Sequence, residues 1–382
     1  MTAVPRLGRA FKSRTVVPFL IGMIGIAIGL YVTVPLLAGN EWNPSTLIKF
    51  PELRPDQLAY GNEMLGEVVP AGGDGHDGKY YFMQAMDPFY LQPDSHAYLL
   101  DRPSYRAQRM VYPTLAGGFG LLPPIATAWS LWIVNIIAIG VGGWLTAKLA
   151  QELGLNAWFG LAFVLNPGIV VSTLIDTAEV LALLFMLAGA LYVVRGRTWP
   201  AVSFLTLAAL TRETMILASV GAIAFLWHEK RSVPWAYSVP FLASGAWWAY
   251  LRVRLAGIDL GLQDTAAIGA PFKGFFEAVQ LWLVQPGSEA DIAMGTLLLV
   301  ISIFVAWRVV RQRSLLLMMT AGFSLVAVVM VQEVWRFYFD ASRALVPLVT
   351  VYVLATAASL IGKVEDQILP ALEESPKSTL GA

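Results

Sequence analysis

The residues best suited to chemistry lie at positions 75–81, where the sequence reads Gly-His-Asp-Gly-Lys-Tyr-Tyr. A carboxylate such as that of Asp77 can accept a proton from a reacting hydroxyl group. Glycines flank it, and because their backbone carries no side chains we expect the carboxylate to be sterically open. Aromatic rings follow directly at Tyr80 and Tyr81. The segment therefore predicts a place where a polar molecule is held, and the alternative is a solvated turn that happens to contain Asp.

Other charged residues stand in apolar surroundings, several of them three or four residues apart so that they share a helix face. They are Arg106 and Arg109 beside Tyr105, Asp176 and Glu179, Arg212 and Glu213, and Arg336, Asp340 and Arg343. A charge in or near hydrocarbon costs roughly a few kcal/mol unless it is paired or faces water. The topology derived below places all of these residues on the same side of a membrane as Asp77, which predicts a shared polar cavity. The alternative is a set of structural ion pairs, such as Arg212 with Glu213 or Arg336 with Asp340.

The composition indicates the class of protein to which these residues belong. The 382 residues are 57% hydrophobic and 14% charged, with a mean hydropathy of +0.63, whereas soluble domains carry roughly 25% charged residues. Together with repeated long apolar runs, this predicts an all-α polytopic membrane protein. The formal net charge is zero, so no nucleic-acid partner is indicated. The absence of cysteine excludes disulfides and Cys-based metal sites, and three scattered histidines argue against a His-rich one.

The lengths of the apolar runs predict about ten transmembrane helices. They are 16–38, 124–148, 156–172, 177–194, 199–212, 213–227, 234–252, 293–310, 314–331 and 343–362. Basic residues then flank alternate helix ends, from the group at 6–14 before the first helix to Lys363 after the last. Cytoplasmic segments carry the excess of Lys and Arg, so we predict that both termini are cytoplasmic.

The stretch from 199 to 227 allows two interpretations. One tilted helix would have Arg212 and Glu213 near its middle and would put Lys230 and Arg231 outside, against the charge rule. Two short segments that meet near the outer surface satisfy the rule better, provided that both are packed inside protein. We therefore predict two segments.

Two large loops are predicted on the outer side of a single transmembrane domain, 1–382. The first, 39–123, contains the 75–81 segment and helical stretches at 77–86 and 103–115. The second, 253–292, has aromatic residues spaced like one face of an interfacial amphipathic helix. These are Phe272, Phe275, Phe276 and Trp282. Residues 364–382 are predicted to form a disordered cytoplasmic tail.

Taken together, these motifs resemble those of the GT-C glycosyltransferase superfamily, in particular its bacterial mannosyltransferase-like members. Such proteins are polytopic and carry a catalytic acidic residue in the first large extracytoplasmic loop. The matching segments are 75–81, 105–113 (Tyr-Arg-Ala-Gln-Arg-Met-Val-Tyr-Pro), Asn166-Pro167-Gly168 followed by Asp176 and Glu179, 211–214 (Thr-Arg-Glu-Thr) and 340–343 (Asp-Ala-Ser-Arg). The chain departs from the fuller pattern because its first loop has a lone Asp in place of an acidic pair, and because it shows no soluble C-terminal domain.

The resemblance implies transfer of a sugar, with inversion, from a polyprenyl-phosphate-linked donor to a hydroxyl group of a lipid or glycan acceptor. The reaction would take place on the extracytoplasmic side of the bacterial plasma membrane. Asp77 would be the catalytic base. Arg212 and Arg343, and next Arg106 and Arg109, would bind the donor phosphate. Supporting polar or sugar-binding roles would fall to His76, Tyr80, Tyr81, Asp176, Glu179, Glu213, Arg336 and Asp340.

Several functional questions stay open at this point. No cofactor or metal ligand is assigned, and dependence on a divalent metal ion is left open. A transporter or flippase of lipids or sugars would instead place its site near the bilayer midplane, often between pseudo-repeats, and no repeat is evident here. A non-catalytic subunit of a cell-envelope assembly would keep the fold without the activity.

Overall fold

The fold is described by a computed structural model that covers residues 4–230, 235–258 and 268–361. This part of the chain is all-helical: it contains no β-strand, only isolated bridges between Pro51 and Ala71 and between Ile268 and Met330. The predicted all-α class is therefore confirmed. The predicted tail 364–382 and residues 259–267 of the predicted second loop lie outside the described residues.

The helices run as follows in chain order. They are α1 Val4–Gly39, α2 Ser45–Ile48, α3 Pro55–Leu65, α4 Gly78–Met86, α5 Pro103–Arg106, α6 Val111–Ala116, α7 Pro124–Glu152, α8 Leu161–Val164, α9 Pro167–Leu174, α10 Glu179–Val194, α11 Thr198–Thr211, α12 Ile216–Lys230, α13 Val239–Arg254, α14 Lys273–Val284, α15 Glu289–Arg311, α16 Leu315–Val329, α17 Gln332–Trp335, α18 Tyr338–Ala344 and α19 Val346–Ile361.

Among the described residues, three helices are long and apolar enough to cross a membrane. They are Thr15–Gly39, Pro124–Glu152 and Glu289–Arg311. Two bent pairs, α8 with α9 and α18 with α19, raise the number to five if each pair is one span. The predicted count of about ten is not reached by length, because further apolar helices, α10, α11 and α16, have only 10–17 residues. Helices of that length fall below the roughly 20 residues that a plain span needs.

One helix predicted as continuous is interrupted in the structure, and another begins later than predicted. The predicted helix 156–172 breaks at Asn166, whose side chain accepts a hydrogen bond from the backbone N–H of Gly168 and so caps α9. Pro167 follows at the first helical position, where its missing N–H is not needed. The predicted helix 343–362 corresponds to α19, whereas Arg343 and Ala344 belong to the short helix α18, which differs from α19 in direction by 67°.

The helical backbone is also interrupted between α11 and α12. Arg212 ends α11 in an extended conformation, with φ −148° and ψ 124°. Helical hydrogen bonding cannot continue through that geometry. The stretch 199–227 therefore contains two helices, as predicted, and the break presents Arg212 and Glu213 side by side between them. That the two segments meet near the outer surface stays a prediction.

The first helix packs along α7 through positions without side chains. A Cβ atom at Gly25 would lie 2.9 Å from the carbonyl oxygen of Ile139, and one at Gly22 would lie 3.0 Å from that of Gly140. Both distances are shorter than an ordinary contact, so the two backbones meet this closely only because glycine occupies these positions. The pair forms part of the base on which the first loop is packed, since α4 and α6 both contact α7.

The predicted first loop is a folded layer. The predicted stretch 77–86 coincides with α4, whereas the predicted stretch 103–115 is divided into α5 and α6. Large aromatic side chains of this layer, including Tyr81 and Tyr112, are buried. The hydroxyl of Tyr112 donates to the carbonyl of Leu131 at 3.0 Å and accepts from Asn135 at 2.8 Å, which ties α6 to α7. The layer can therefore hold charged side chains at defined positions.

The aromatic residues of the predicted second loop do not share one exposed face, which corrects the expectation of a simple interfacial helix. Phe275 and Trp282 on α14 are buried. The ring of Phe275 lies 5.2 Å from that of Trp335 and 5.9 Å from that of Trp282. Phe276 points outward and is 62% exposed. The reason is that α14 packs against α17, so its most apolar side faces protein.

Candidate active site

Asp77 is positioned by backbone packing on both sides. It stands immediately before α4. Gly75 has φ +62°, and a Cβ atom at Gly78 would lie only 2.8 Å from the carbonyl oxygen of Ile48. A side chain at either position would therefore strain or clash with the packed backbone. Glycine at these positions permits the close approach of the backbones. The expectation from the sequence that the carboxylate is sterically open is therefore wrong.

The carboxylate of Asp77 lies between two arginines. Its Oδ1 accepts a hydrogen bond from Arg106 at 3.0 Å, and its Oδ2 accepts one from Arg343 at 2.7 Å. The Asp77 side chain is 24% exposed, and that of Arg343 is 6% exposed. Burial raises the pKa of Asp77, but Arg106 and Arg343 lower it by more, so the pKa lies well below its ordinary value. Asp77 is therefore an ionised, doubly paired group and not a solvated turn residue.

Arg343 joins Asp77 to two further carboxylates. Its guanidinium lies 3.2 Å from Asp340 on the same helix and 3.3 Å from Glu179 at the start of α10. Glu179 is fully buried and also contacts the guanidinium of Arg212. The close packing of α9 against α18 makes this possible, because a Cβ atom at Gly168 would collide with the backbone of α18. Residues far apart in sequence are thereby brought to one place.

A second ion pair lies beside the first group. Arg109 donates to both carboxylate oxygens of Glu213, at 2.8 and 2.9 Å, and this geometry is favourable for a charge-assisted pair. Arg109 also donates to the hydroxyl of Tyr105 at 2.5 Å and to that of Tyr81 at 3.4 Å. Burial raises the pKa of Glu213, but Arg109 lowers it by more, to a net value of about 2. The pair therefore stays charged at every physiological pH.

The aromatic and imidazole groups of the 75–81 segment border this network. The guanidinium of Arg106 lies 4.4 Å from the ring centre of Tyr80, a cation–π distance. The ring of His76 meets that of Phe339 edge-on at 5.8 Å. Burial, and next the charge of Arg343, lower the pKa of His76, which keeps the imidazole neutral at pH 7. These side chains can bind a ligand through ring faces and one neutral nitrogen.

Arg336 is placed outside this group. Its guanidinium lies over the ring of Phe337 at 5.1 Å, and its backbone carbonyl accepts from Trp282 at 2.8 Å. The structural pairs considered from the sequence, Arg212 with Glu213 and Arg336 with Asp340, are not formed among the described residues. Glu213 pairs with Arg109 instead, and Asp340 pairs with Arg343.

Asp176 is also separate from the arginines. It is fully buried, has φ +46°, and lies near Asn135 on α7, although neither of its carboxylate oxygens is within good hydrogen-bond geometry of a partner among the described residues. Burial raises its pKa well above the ordinary value. A fully buried carboxyl group away from the arginines suits a structural role better than sugar or arginine binding.

Two members of the site were missed in the sequence. Asp101 binds Arg106 through two hydrogen bonds, at 2.9 and 3.0 Å. Lys79 is buried, with its ammonium group on the carbonyl of Asp74, and burial lowers its pKa to about 8. The signal for Lys79 was its place two residues after Asp77. Asp101 carried no comparable signal, because its spacing of five residues from Arg106 does not place the two on one helix face.

The network has unused hydrogen-bond donors. The Nε–H groups of Arg212 and Arg343 are buried and have no acceptor among the described residues. Such donors suit an anion with several oxygens, since guanidinium groups bind phosphate in a two-point manner. No group of three or more His, Cys, Asp or Glu side chains in the described part of the chain is arranged to hold a metal ion.

An apolar cavity leads toward Glu213. It has a volume of about 610 Å³, and its lining includes Phe89, Met110, Leu210 and Trp247. A neighbouring cavity of about 270 Å³ shares Leu210 and Trp247 and reaches Glu213. An extended apolar group could therefore lie next to the charged network.

The chain matches no protein-family model, no curated protein and no solved structure.

Proposed function

We propose that this protein is a membrane-bound glycosyltransferase of the GT-C type. It would transfer a sugar from a polyprenyl-phosphate-linked donor to a hydroxyl group of a lipid or glycan acceptor. The observation that carries the proposal is the convergence of Asp77 with four arginines. Asp77 is paired with Arg106 and Arg343, Arg343 shares Glu179 with Arg212, and Arg109 lies nearby in its pair with Glu213. A proton acceptor surrounded by anion-binding groups suits a reaction in which a phosphate leaves.

The donor phosphate is assigned to Arg343 and Arg212. Both retain a buried Nε–H without an acceptor, and both are already held in place by Glu179. As the bond between the anomeric carbon and the phosphate oxygen breaks, negative charge develops on the phosphate. Fixed guanidinium donors in a site of low dielectric constant stabilise that charge without having to reorganise.

Asp77 is assigned as the base that takes the proton of the acceptor hydroxyl while its oxygen attacks the anomeric carbon. A base acts best with a pKa near the working pH, and the two arginines hold the pKa of Asp77 far below that. A donor phosphate that engages Arg343 would compete with Asp77 for the guanidinium. The pKa of Asp77 would then rise, so donor binding itself would make the carboxylate a better base.

The prenyl chain is assigned to the apolar cavity lined by Phe89, Met110, Leu210 and Trp247. Its neighbour reaches Glu213, which is paired with Arg109. A lipid in the larger cavity would therefore have its phosphate end near the charged network. Cavities of a few hundred Å³ with mainly apolar walls are the usual form of such sites.

The membrane arrangement is also part of the proposal. All ten predicted segments would cross or enter the bacterial plasma membrane. Both termini would lie in the cytoplasm, and 39–123, the Arg212–Glu213 break and 253–292 would lie outside.

The topology can be tested by labelling single introduced cysteines, because the chain contains no cysteine of its own. Tyr98 is 63% exposed and Trp199 is 57% exposed. An impermeant maleimide should label a cysteine at 98 from outside and one at 199 only after permeabilisation, and the reverse would reject this topology.

The function is tested by incubating purified protein with a polyprenyl-phosphate sugar and a lipid or glycan that carries a free hydroxyl group, and following both release of polyprenyl phosphate and glycosylation of the acceptor. Arg343→Lys should weaken donor binding, because an ammonium group cannot reproduce two-point phosphate geometry. Arg195→Lys is the matched control, since Arg195 forms an exposed pair with Glu152. If Arg343→Lys and the control Arg195→Lys bind the donor equally well, Arg343 has a purely structural role. Movement of labelled donor across vesicles without transfer would favour a flippase instead.

A further inference from the structure

A second lipid-sized feature lies on α15, away from the candidate active site. A cavity of about 490 Å³ is lined by Val300, Ile303, Phe304 and Trp307. Their spacing of three, four and seven residues places them on one face of the helix. Val300, Ile303 and Trp307 are each about half exposed. The result is an open apolar groove along the side of the helix.

Two arginines close the end of this groove. The guanidinium of Arg308 lies 5.6 Å from the ring centre of Phe304, and that of Arg311 lies 4.9 Å from the ring centre of Trp307. Because both rings line the groove, the two positive charges stand at its C-terminal end. Arg308 is only 8% exposed, and its Nε–H is buried without an acceptor.

Neither arginine has a negatively charged partner in the part of the chain that the structure describes. Among the described residues, no carboxylate forms an ion pair with Arg308 or Arg311. The side-chain hydrogen bond that Arg308 makes among the described residues goes to the neutral side chain of Gln312. By contrast, Arg195 also follows the end of a helix and lies over an aromatic ring, that of Tyr192, but it is paired with Glu152. Charge complementarity therefore calls for an anion at the end of the α15 groove.

We propose that this groove binds an anionic diacyl phospholipid, with an acyl chain along Val300–Trp307 and the headgroup phosphate at Arg308 and Arg311. A soluble anion would make no use of the apolar groove. The positively charged headgroup amine of a zwitterionic lipid would be repelled by the guanidinium groups of Arg308 and Arg311.

This binding place is distinct from the candidate active site. Residues 289–311 form one helix, which at about 1.5 Å per residue is roughly 30 Å long. Its other end is near the candidate active site, where Asp291 accepts a hydrogen bond from the backbone N–H of Tyr338 at the start of α18. The phospholipid would thus hold the opposite end of α15 in the other leaflet, and its binding is independent of the proposed transfer reaction.

The proposal is tested by native mass spectrometry of the full chain in a neutral detergent. Phosphatidylglycerol and phosphatidylcholine with identical acyl chains are titrated separately. We expect the wild type to retain phosphatidylglycerol preferentially. Arg311→Gln should weaken that binding roughly fivefold, as expected for one basic side chain at an anionic headgroup. Val300→Trp should weaken it by filling the groove.

Two substitutions serve as controls. Arg195→Gln removes an arginine that already has a carboxylate partner, and Ile137→Trp adds a large ring at another exposed apolar position. Neither should change lipid retention, and thermal unfolding confirms that each variant is folded. Equal binding of both lipids, or no effect of Arg311→Gln, would overturn the proposal. Unchanged retention of phosphatidylglycerol in Val300→Trp would also overturn it, and so would complete displacement of this lipid by inorganic phosphate. Either result would show that the arginines bind an anion without the groove.

Discussion

Replacing Asp77 with Asn tests two roles of one side chain, the proposed role of base and the observed role of partner to two arginines. Asn keeps the size of Asp but cannot accept a proton, and it removes the negative charge between Arg106 and Arg343. The variant should therefore lose both catalytic rate and some stability. Since the two losses have different sizes and different controls, they can be measured independently.

The structure sets the expected stability loss. Removing one member of a buried ion pair costs about 3–5 kcal/mol. Arg106 keeps its two bonds to Asp101, and Arg343 keeps Asp340 and Glu179. We therefore expect the lower end of that range, about 3 kcal/mol. An exposed turn residue would lose less than about 0.5 kcal/mol, so thermal unfolding in detergent distinguishes the two situations.

The rate should fall by more than the stability change explains. Loss of a general base costs about 10²–10⁴-fold. The matched control is Asp340→Asn, which also removes one carboxylate from Arg343, at 3.2 Å, and whose side chain is 32% exposed. We expect Asp340→Asn to stay within about tenfold of the wild-type rate. Donor affinity should increase in Asp77→Asn, because the phosphate no longer competes with a carboxylate for Arg343.

The assay measures initial transfer rates per folded protein, together with donor binding. If Asp340→Asn is as slow as Asp77→Asn, the loss comes from displacement of Arg343 and not from proton transfer. Transfer by Asp77→Asn within tenfold of the wild-type rate would remove Asp77 from the role of base. Donor affinity that stays unchanged in Asp77→Asn would refute the competition between phosphate and carboxylate.

Three further predictions concern stability. The folded-state pKa of Glu213 is lowered to about 2, so the ionised carboxylate should raise the free energy of unfolding of the wild type above that of Glu213→Gln. This difference should be complete above pH 4.5 and disappear as the pH falls toward 2, and denaturant titrations measure it. The pKa of Lys79 is lowered to about 8, so wild-type stability should rise relative to Lys79→Met between about pH 8 and 10.5, where only the unfolded chain binds the proton. Gly25→Val should lower the free energy of unfolding by about 1–3 kcal/mol through overpacking against α7, whereas Gly39→Val, with no atom within 4 Å of an added Cβ, should change it much less.

Local features of this protein could be predicted from the sequence. Composition predicts a helical chain with apolar segments, and the structure agrees. The helical stretch 77–86 also follows from local pattern, because a helix is stabilised by hydrogen bonds between residues four apart. The two segments in 199–227 were predicted from the distribution of Lys and Arg. Most charged residues of the site could also be identified, because charges stand out in a largely apolar sequence, but Asp101 and Lys79 were missed.

The partners of those charges were decided by the tertiary structure. Asp77 and Arg343 are 266 residues apart, and Arg109 and Glu213 are 104 apart. Helix periodicity carries no information over such separations. They meet because broken helices and glycine contacts bring particular backbones together. The same packing leaves Arg336 outside the network, although its spacing in the sequence is as suitable as that of Arg343. Local hydrogen bonding can be read along a chain, but the contacts between helices depend on how all of them pack at once.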